Sequence, residues 1–396
     1  MYRRPGASPR DARTVAVADR ISPIATRFVP FETERLLSTW ENRVDYNLSE
    51  SGVRPMTMRE LIPDDGARES LADIELNYPQ ANGLPELRDR IATLYPGATR
   101  DNVLVTVGAI QANFTALLTV TDPGDDVAVM QPNYQQFWGL AQNLGRRLST
   151  FALDPKRDWQ LDLAEVARAV TPATTLVAVV NPNNPTGRVM QPVERQAVID
   201  AARSADAWLL ADEVYAGTEH RTDEVTPTFY GGYDKVLAVN SMSKAYGLPG
   251  LRIGWIVGPA DVVERMWAWQ DYITICTTML GNKLAAIALS PSVRPGILAR
   301  TRHYVREGFE NLERWANRRG DVDVLAPDAA AISVVTYRHA IDSRELVRRL
   351  IAQQSTFVAP GALFGLENCL RVSFGLPAEY VNEGLRRLGK VLDSIT

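Results

Sequence analysis

The chain has 396 residues, 45% of them hydrophobic and 23% charged, with 26 Gly, 24 Pro and a net charge of −4. These proportions exclude collagen-like, low-complexity and wholly disordered chains, and the acidic balance offers no global basic field to nucleic acid or to an anionic membrane. Two Cys and three His supply neither a disulfide framework nor a His/Cys metal cage, so no metal is expected, and Cys276 and Cys369 are expected as reduced thiols of a cytoplasmic protein.

The N-terminus carries Arg3, Arg4, Arg10, Arg13 and Arg20 around Pro5, Gly6 and Pro9, without an apolar segment. It reads as a flexible tail over residues 1–19, not a secretory signal. No stretch approaches the roughly 18 continuous apolar residues of a membrane helix. From about residue 65 helices and strands alternate. Leu84-Pro85-Glu86-Leu87 opens a helix with Leu87, Ile91 and Leu94 on one face. A β-branched run follows at Val103–Val107, then a helix-period stretch from Gln111 to Thr119. Short apolar runs recur at 127–130, 176–180, 208–211, 236–239 and 253–257, each bounded by Gly, Pro, Asn or Asp. Apolar on both faces, they suit parallel strands covered by helices on both sides.

After about residue 290 the texture changes. An amphipathic stretch runs from Ile297 to Arg318, and Ile332–Tyr337 reads as a strand. Asp342 and Glu345 start a helix through Ile351. Leu370–Phe374 reads as another strand, and a terminal helix carries Val381, Leu385, Leu388 and Leu392. The expected fold is α/β: a large domain over 63–290 with a mainly parallel sheet and helices on both faces, plus a smaller α+β domain from 20–62 and 291–396. Two domains also suit the length.

Three segments concentrate chemistry where these strands end, the place where open α/β sheets bind ligands. Ser241-Met242-Ser243-Lys244 through Arg252 crowds two hydroxyls, an ammonium and a guanidinium after the strand 236–239. Hydroxyls and a guanidinium fork can hold a phosphate dianion. Lys244 can form a Schiff base with an aldehyde if its ammonium is held partly neutral. Taken alone, such a segment is more often an exposed loop with a solvated lysine. Asn181-Pro182-Asn183-Asn184-Pro185 follows 176–180 as a rigid turn, whose Asn184 amide can donate to a phenolate oxygen. Asp212-Glu213-Val214-Tyr215 follows 208–211. A carboxylate there can keep a pyridine nitrogen protonated, or can simply cap a helix.

Together, in this order and spacing, the three segments resemble the fold-type-I pyridoxal-phosphate enzymes of the class I/II aminotransferase family. The resemblance extends from about residue 45 to the C-terminus and implies pyridoxal 5′-phosphate as cofactor. On that resemblance Lys244 is the Schiff-base lysine and general base, Asp212 the partner of the ring nitrogen, and Asn184 and Tyr215 the pair at the ring's phenolate. Ser241, Ser243 and Arg252 would hold the phosphate together with the helix start at Gly108-Ala109-Ile110. Tyr134 would stack on the ring, and Arg371 would fork the substrate's α-carboxylate. Tyr78 would reach the phosphate of a neighbouring subunit, implying a homodimer with shared sites. The small-molecule partner is then an α-amino acid, with no nucleic acid and no membrane.

The segment Tyr46–Val53 departs from the family's apolar loop over the substrate. Glu50, Ser51 and Gly52 offer polar contacts there, and the Ser-Gly-Val run resembles that of capreomycidine-synthase-like enzymes, which eliminate and cyclise on arginine-derived substrates. Phe137 and Trp138 either line a pocket or belong to the core. No second arginine for a side-chain carboxylate is evident. Aminotransfer is therefore the first expectation, and β- or γ-elimination, replacement or cyclisation in specialised metabolism the second. A pyridoxal-phosphate-binding regulator and a nucleotide-binding dehydrogenase fit poorly, for want of a basic recognition helix and of an early G-x-G-x-x-G.

Overall fold

The computed structural model describes residues 28–395; the tail expected over 1–19 lies outside them. An eight-stranded sheet is built from β1 (Val103–Thr106), β2 (Asp126–Gln131), β3 (Arg147–Asp154), β4 (Gln160–Leu161), β5 (Thr174–Val180), β6 (Trp208–Asp212), β7 (Val236–Ser241) and β8 (Gly254–Val257). Their spatial order is β1-β8-β7-β6-β5-β2-β3-β4. The neighbours from β7 to β3 run parallel. β8 runs antiparallel to both β7 and β1, so the run at 253–257 is not the parallel strand its composition suggests. Apolar residues on both faces signal burial, and burial carries no strand direction.

Alternation shows both faces covered. Leu104, Leu237, Val239 and Ile256 enter one core cluster, whereas Val103, Val105, Ala238, Trp255 and Val257 enter another on the opposite face. The helix Gly108–Val120 packs along β6 to β8. β3 escaped sequence reading because it begins Arg-Leu-Ser-Thr near the sheet edge, where only its last residues are deeply buried.

A second sheet, β9 (Val322–Val324), β10 (Ile332–Tyr337), β11 (Ala359–Pro360) and β12 (Cys369–Ser373), is antiparallel in the order β9-β10-β12-β11. Its core joins Val335, Leu350, Val372, Phe374 and Leu388 to Leu48 and Val53 from the N-terminal segment. Tyr46–Asn47 pairs with Thr356–Phe357, which ties that segment down. Packing does not change hands at 62 and 291, however. Leu61, Ile62, Ile297 and Leu298 pack with Leu87 and Leu284 beneath the large sheet, so the helix Arg294–Asn317 spans both cores. Cys276 and Cys369 are free thiols. Among the described residues no helix is long and apolar enough to cross a membrane.

Candidate active site

Sheet register lines up the chemistry. Val180 pairs with Asp212, Asp212 with Val239, Ser241 with Gly254, and Gly254 with Thr106. This row forms one rim of the sheet, and a cavity of about 390 Å³ opens over it. Its walls include Ala109, Ile110, Tyr134, Asn184, Asp212, Tyr215, Ser241, Ser243, Lys244, Arg252 and Arg371, residues far apart in sequence. Of the chain's five lysines, Lys156, Lys235, Lys244, Lys283 and Lys390, only Lys244 lines it.

On the side of Ser241 and Ser243 the site is built for an anion. The helix Gly108–Val120 starts at the rim, and its N-cap residue, Val107, offers no side-chain acceptor to the first-turn amides, which leaves them for a ligand. Gly108 has φ +70°, and a Cβ there would lie 2.7 Å from Arg252 Nη2. A Cβ on Gly254 would lie 2.4 Å from the Gly108 carbonyl carbon, so two glycines allow strand, helix start and guanidinium to converge. Arg252 Nη1 lies 3.5 Å from Ser243 Oγ and donates to the Pro249 carbonyl at 3.0 Å. Amides, hydroxyls and a guanidinium without a carboxylate among them suit a phosphate dianion.

Asp212 is 5% exposed and accepts from Asn113 Nδ2 at 2.8 Å and from the Val214 N–H at 3.1 Å. Burial pushes its carboxyl up to about 6 although both hydrogen bonds and Lys244 work against the rise. A cation at this spot would relieve that cost. Asn113 also donates to Gln136 and leaves its buried Oδ1 without a partner. Sequence reading missed Asn113, and with Gln111 and Thr115 beside it nothing local singles it out.

Lys244 Nζ lies 2.7 Å from Glu50 Oε1, which also accepts from the Gly52 N–H at 3.1 Å. The Lys244 charge holds Glu50 down to about 2, against the opposing effect of burial. Burial works to lower Lys244 in turn, but Glu50 and Tyr215 outweigh it and its pKa is raised. The pairing with Glu50 thus favours the ammonium of Lys244, against the partial neutrality that Schiff-base formation requires. The carboxylate responsible comes from the departing loop. Within that loop Ser51 takes the hydrogen bond of the Tyr215 hydroxyl at 2.9 Å, and Gly52 packs beside the Lys244 stem.

Arg371 is 2% exposed; it donates through Nη1 to Asn184 Oδ1 at 3.0 Å and through Nη2 to the Ser49 carbonyl at 2.6 Å. The first bond orients the Asn184 amide and leaves its Nδ2 for a ligand. Arg371 Nε is buried without a partner. Tyr134 borders the cavity with its ring 5.0 Å from Phe31 and its hydroxyl bonded to Glu34. Phe137 is a core residue, and neither it nor Trp138 reaches the cavity. Tyr78 lies outside its own chain's cavity, 80% exposed. Glu34 and Glu41 line the cavity from a helix that sequence reading did not resolve.

A family model for aminotransferase class I and II matches residues 51–388. The chain belongs to that family. Its members depend on pyridoxal 5′-phosphate, so the anion cradle, the buried carboxylate and the single lysine have a group to meet, and the donor set fits it. The chain is 30% identical over 354 residues to a capreomycidine synthase of Streptomyces vinaceus, covering 87% of this chain and 89% of that protein. It is also 30% identical to a valine–pyruvate aminotransferase of Mycobacterium tuberculosis, covering 81% and 84%. A pyridoxal-phosphate-dependent aminotransferase from Streptococcus suis superposes with a TM-score of 0.88 at 28% identity, covering 93% of this chain and 99% of that one.

Proposed function

We propose that this transferase acts on an α-amino acid, with Lys244, Asp212 and Tyr215 as catalytic residues. The observation that carries the reading is the meeting of one lysine, one buried carboxylate and one buried arginine in a single cavity. The cofactor, when bound, supplies an aldehyde for the amine and a ring that takes up electrons from Cα. The chain's own groups do the rest. Ser241, Ser243, Arg252 and the amides at Gly108-Ala109-Ile110 bind the phosphate. Asp212 holds a proton at the ring nitrogen, Asn184 and Tyr215 donate to the phenolate oxygen, and Tyr134 covers one face. Arg371 orients the α-carboxylate, which sets the Cα proton within reach of Lys244 Nζ. Ser51 and Gly52 border the substrate.

Amino transfer is the first reading. Glu50 favours a second, elimination, replacement or cyclisation, because it places another proton-accepting group 2.7 Å from the lysine, which simple amino transfer does not require. The relationship to a capreomycidine synthase supports the same reading. We also propose a homodimer. Leu76, Tyr78, Tyr272 and Ile275 are exposed by 55% or more, and Tyr78 shares a surface cavity with Ile275's neighbours Thr274 and Cys276. The loaded enzyme incubated with single amino acids decides the reaction. Pyridoxamine phosphate with a keto acid supports amino transfer; ammonia or a new ring with unchanged cofactor supports the second reading. If no amino acid alters the cofactor's absorbance, the proposal fails.

A further inference from the structure

The cavity holds more negative charge than the proposed chemistry uses. Its walls carry four carboxylates, Glu34, Glu41, Glu50 and Asp212, against three cations, Lys244, Arg252 and Arg371. The inference rests on the function proposed above, in which each cation is already engaged: Arg252 by the phosphate, Arg371 by the α-carboxylate and Lys244 by the cofactor. Asp212 faces the ring nitrogen. Three glutamates remain. The proton-accepting role of Lys244 requires its neutral amine, and a neutral amine would leave Glu50 without the ammonium it pairs with. Glu34 bonds only the neutral hydroxyl of Tyr134, and neither Glu34 nor Glu41 pairs with a cation among the described residues.

Their placement is regular. Glu34, Leu37 and Glu41 succeed one another at helical spacing on and just beyond the helix Glu32–Trp40, so one face of that helix turns acid toward the cavity. Its Leu36 and Trp40 pack into the small core and fix that orientation. Glu41 titrates above its ordinary value, first through burial and then through repulsion from Glu50 and Glu34, which places the three carboxylates within one another's fields. They are not a metal cage: among the described residues no three His, Cys, Asp or Glu side chains gather to hold an ion. The same cavity independently calls for a ligand. Arg371 and Asn113, 2% and 3% exposed, line it with Nε and Oδ1 buried and unpartnered.

We propose that Glu34, Glu41 and Glu50 form the side-chain subsite of this enzyme and select α-amino acids whose side chain ends in a cation, a guanidinium or an ammonium. The carboxylates accept charge-assisted hydrogen bonds from that terminus while Arg371 holds the other end. A side-chain carboxylate would face three like charges, so aspartate and glutamate are poor substrates.

The test is a titration of the loaded enzyme with L-arginine, L-lysine, L-citrulline, L-norleucine and L-aspartate, following the cofactor's absorbance. Citrulline matches arginine in length but carries a neutral urea. Arginine, lysine or both should half-saturate at a concentration lower than citrulline by about tenfold or more, the effect of charged hydrogen bonds lost. In a Glu34→Gln, Glu41→Gln double variant the ratio of citrulline's half-saturation to that of the favoured cation should fall toward one. Half-saturation by citrulline as good as that by both arginine and lysine, a preference for aspartate, or a cation preference unmoved in the double variant would overturn the subsite. The wild-type comparison decides even if the double variant does not fold. A panel in which every amino acid perturbs the cofactor equally sinks the subsite alone. A panel in which none does sinks the proposed function with it.

Discussion

Replacing Asp212 by Asn separates what the carboxylate costs the empty protein from what it contributes to the loaded one. The carboxyl ordinarily titrates at 3.8 and is pushed up to about 6 by burial. That rise corresponds to about 3 kcal/mol against the charged form. The sign follows from linkage. The folded protein binds this proton more tightly than the unfolded chain, so the destabilisation is complete above pH 6, shrinks as pH falls through 6, and is gone below 3.8. Asn at this position keeps an acceptor for the Val214 N–H but loses the charged bond from Asn113, an offset of about 1 to 2 kcal/mol. Cofactor-free Asp212→Asn protein should therefore be more stable than wild type by about 1 to 2 kcal/mol at pH 7.5, a rise in unfolding midpoint of about 1 to 4 °C. The advantage should shrink at pH 5. With cofactor bound the order should reverse in function. Exchange of the substrate's α-proton, followed by NMR in deuterated buffer, should fall by about a hundredfold or more, or about 3 kcal/mol of barrier. Near-normal exchange in the variant, or a variant whose relative stability is lowest at pH 7.5, would refute the reasoning.

Three further substitutions probe other links. Tyr78→Phe should weaken cofactor affinity by about 1 to 2 kcal/mol. Mixed with Lys244→Ala chains it should regain partial activity, because one of the two shared sites then carries neither lesion; absence of recovery would return Tyr78 to its own chain. Arg371→Lys replaces a two-pronged donor set by a point charge, so KM for amino acids should rise by about tenfold or more while cofactor retention holds; an unchanged KM would remove Arg371 from the carboxylate. Gly308→Ala would set a Cβ 1.9 Å from the Phe374 carbonyl oxygen, where the helix Arg294–Asn317 passes the end of β12. Overpacking there should lower stability by about 1 to 3 kcal/mol, read as an earlier denaturant midpoint at unchanged slope, and no change would show the contact to be loose.

The legible parts of the site were those on strand ends. A short apolar run followed by Asn-Pro, Asp-Glu or Ser-x-Ser-Lys declares both the strand and the chemistry beyond it. Asn184, Asp212 and Lys244 were therefore readable in order. What sequence could not supply is convergence from elsewhere. Glu34 and Glu41 reach the cavity from a helix whose other face packs in the small core, and nothing local distinguishes them from solvated glutamates. Asn113 is one of several buried polar residues on its helix, with Gln111, Thr115 and Thr119, and only the fold puts it against Asp212. Glu50 was visible as a departure, but its pairing with Lys244, and the raised lysine that follows, joins residues 194 positions apart in sequence.

The central claim is that Lys244 alone carries the cofactor. Borohydride reduction of the loaded protein, proteolysis and mass spectrometry of the peptides test it directly. The cofactor should be found on the peptide containing Lys244, and Lys244→Ala protein should yield no reduced adduct and no turnover. Cofactor fixed instead to Lys156, Lys235, Lys283 or Lys390, or a reducible adduct persisting in the Lys244→Ala chain, would contradict it.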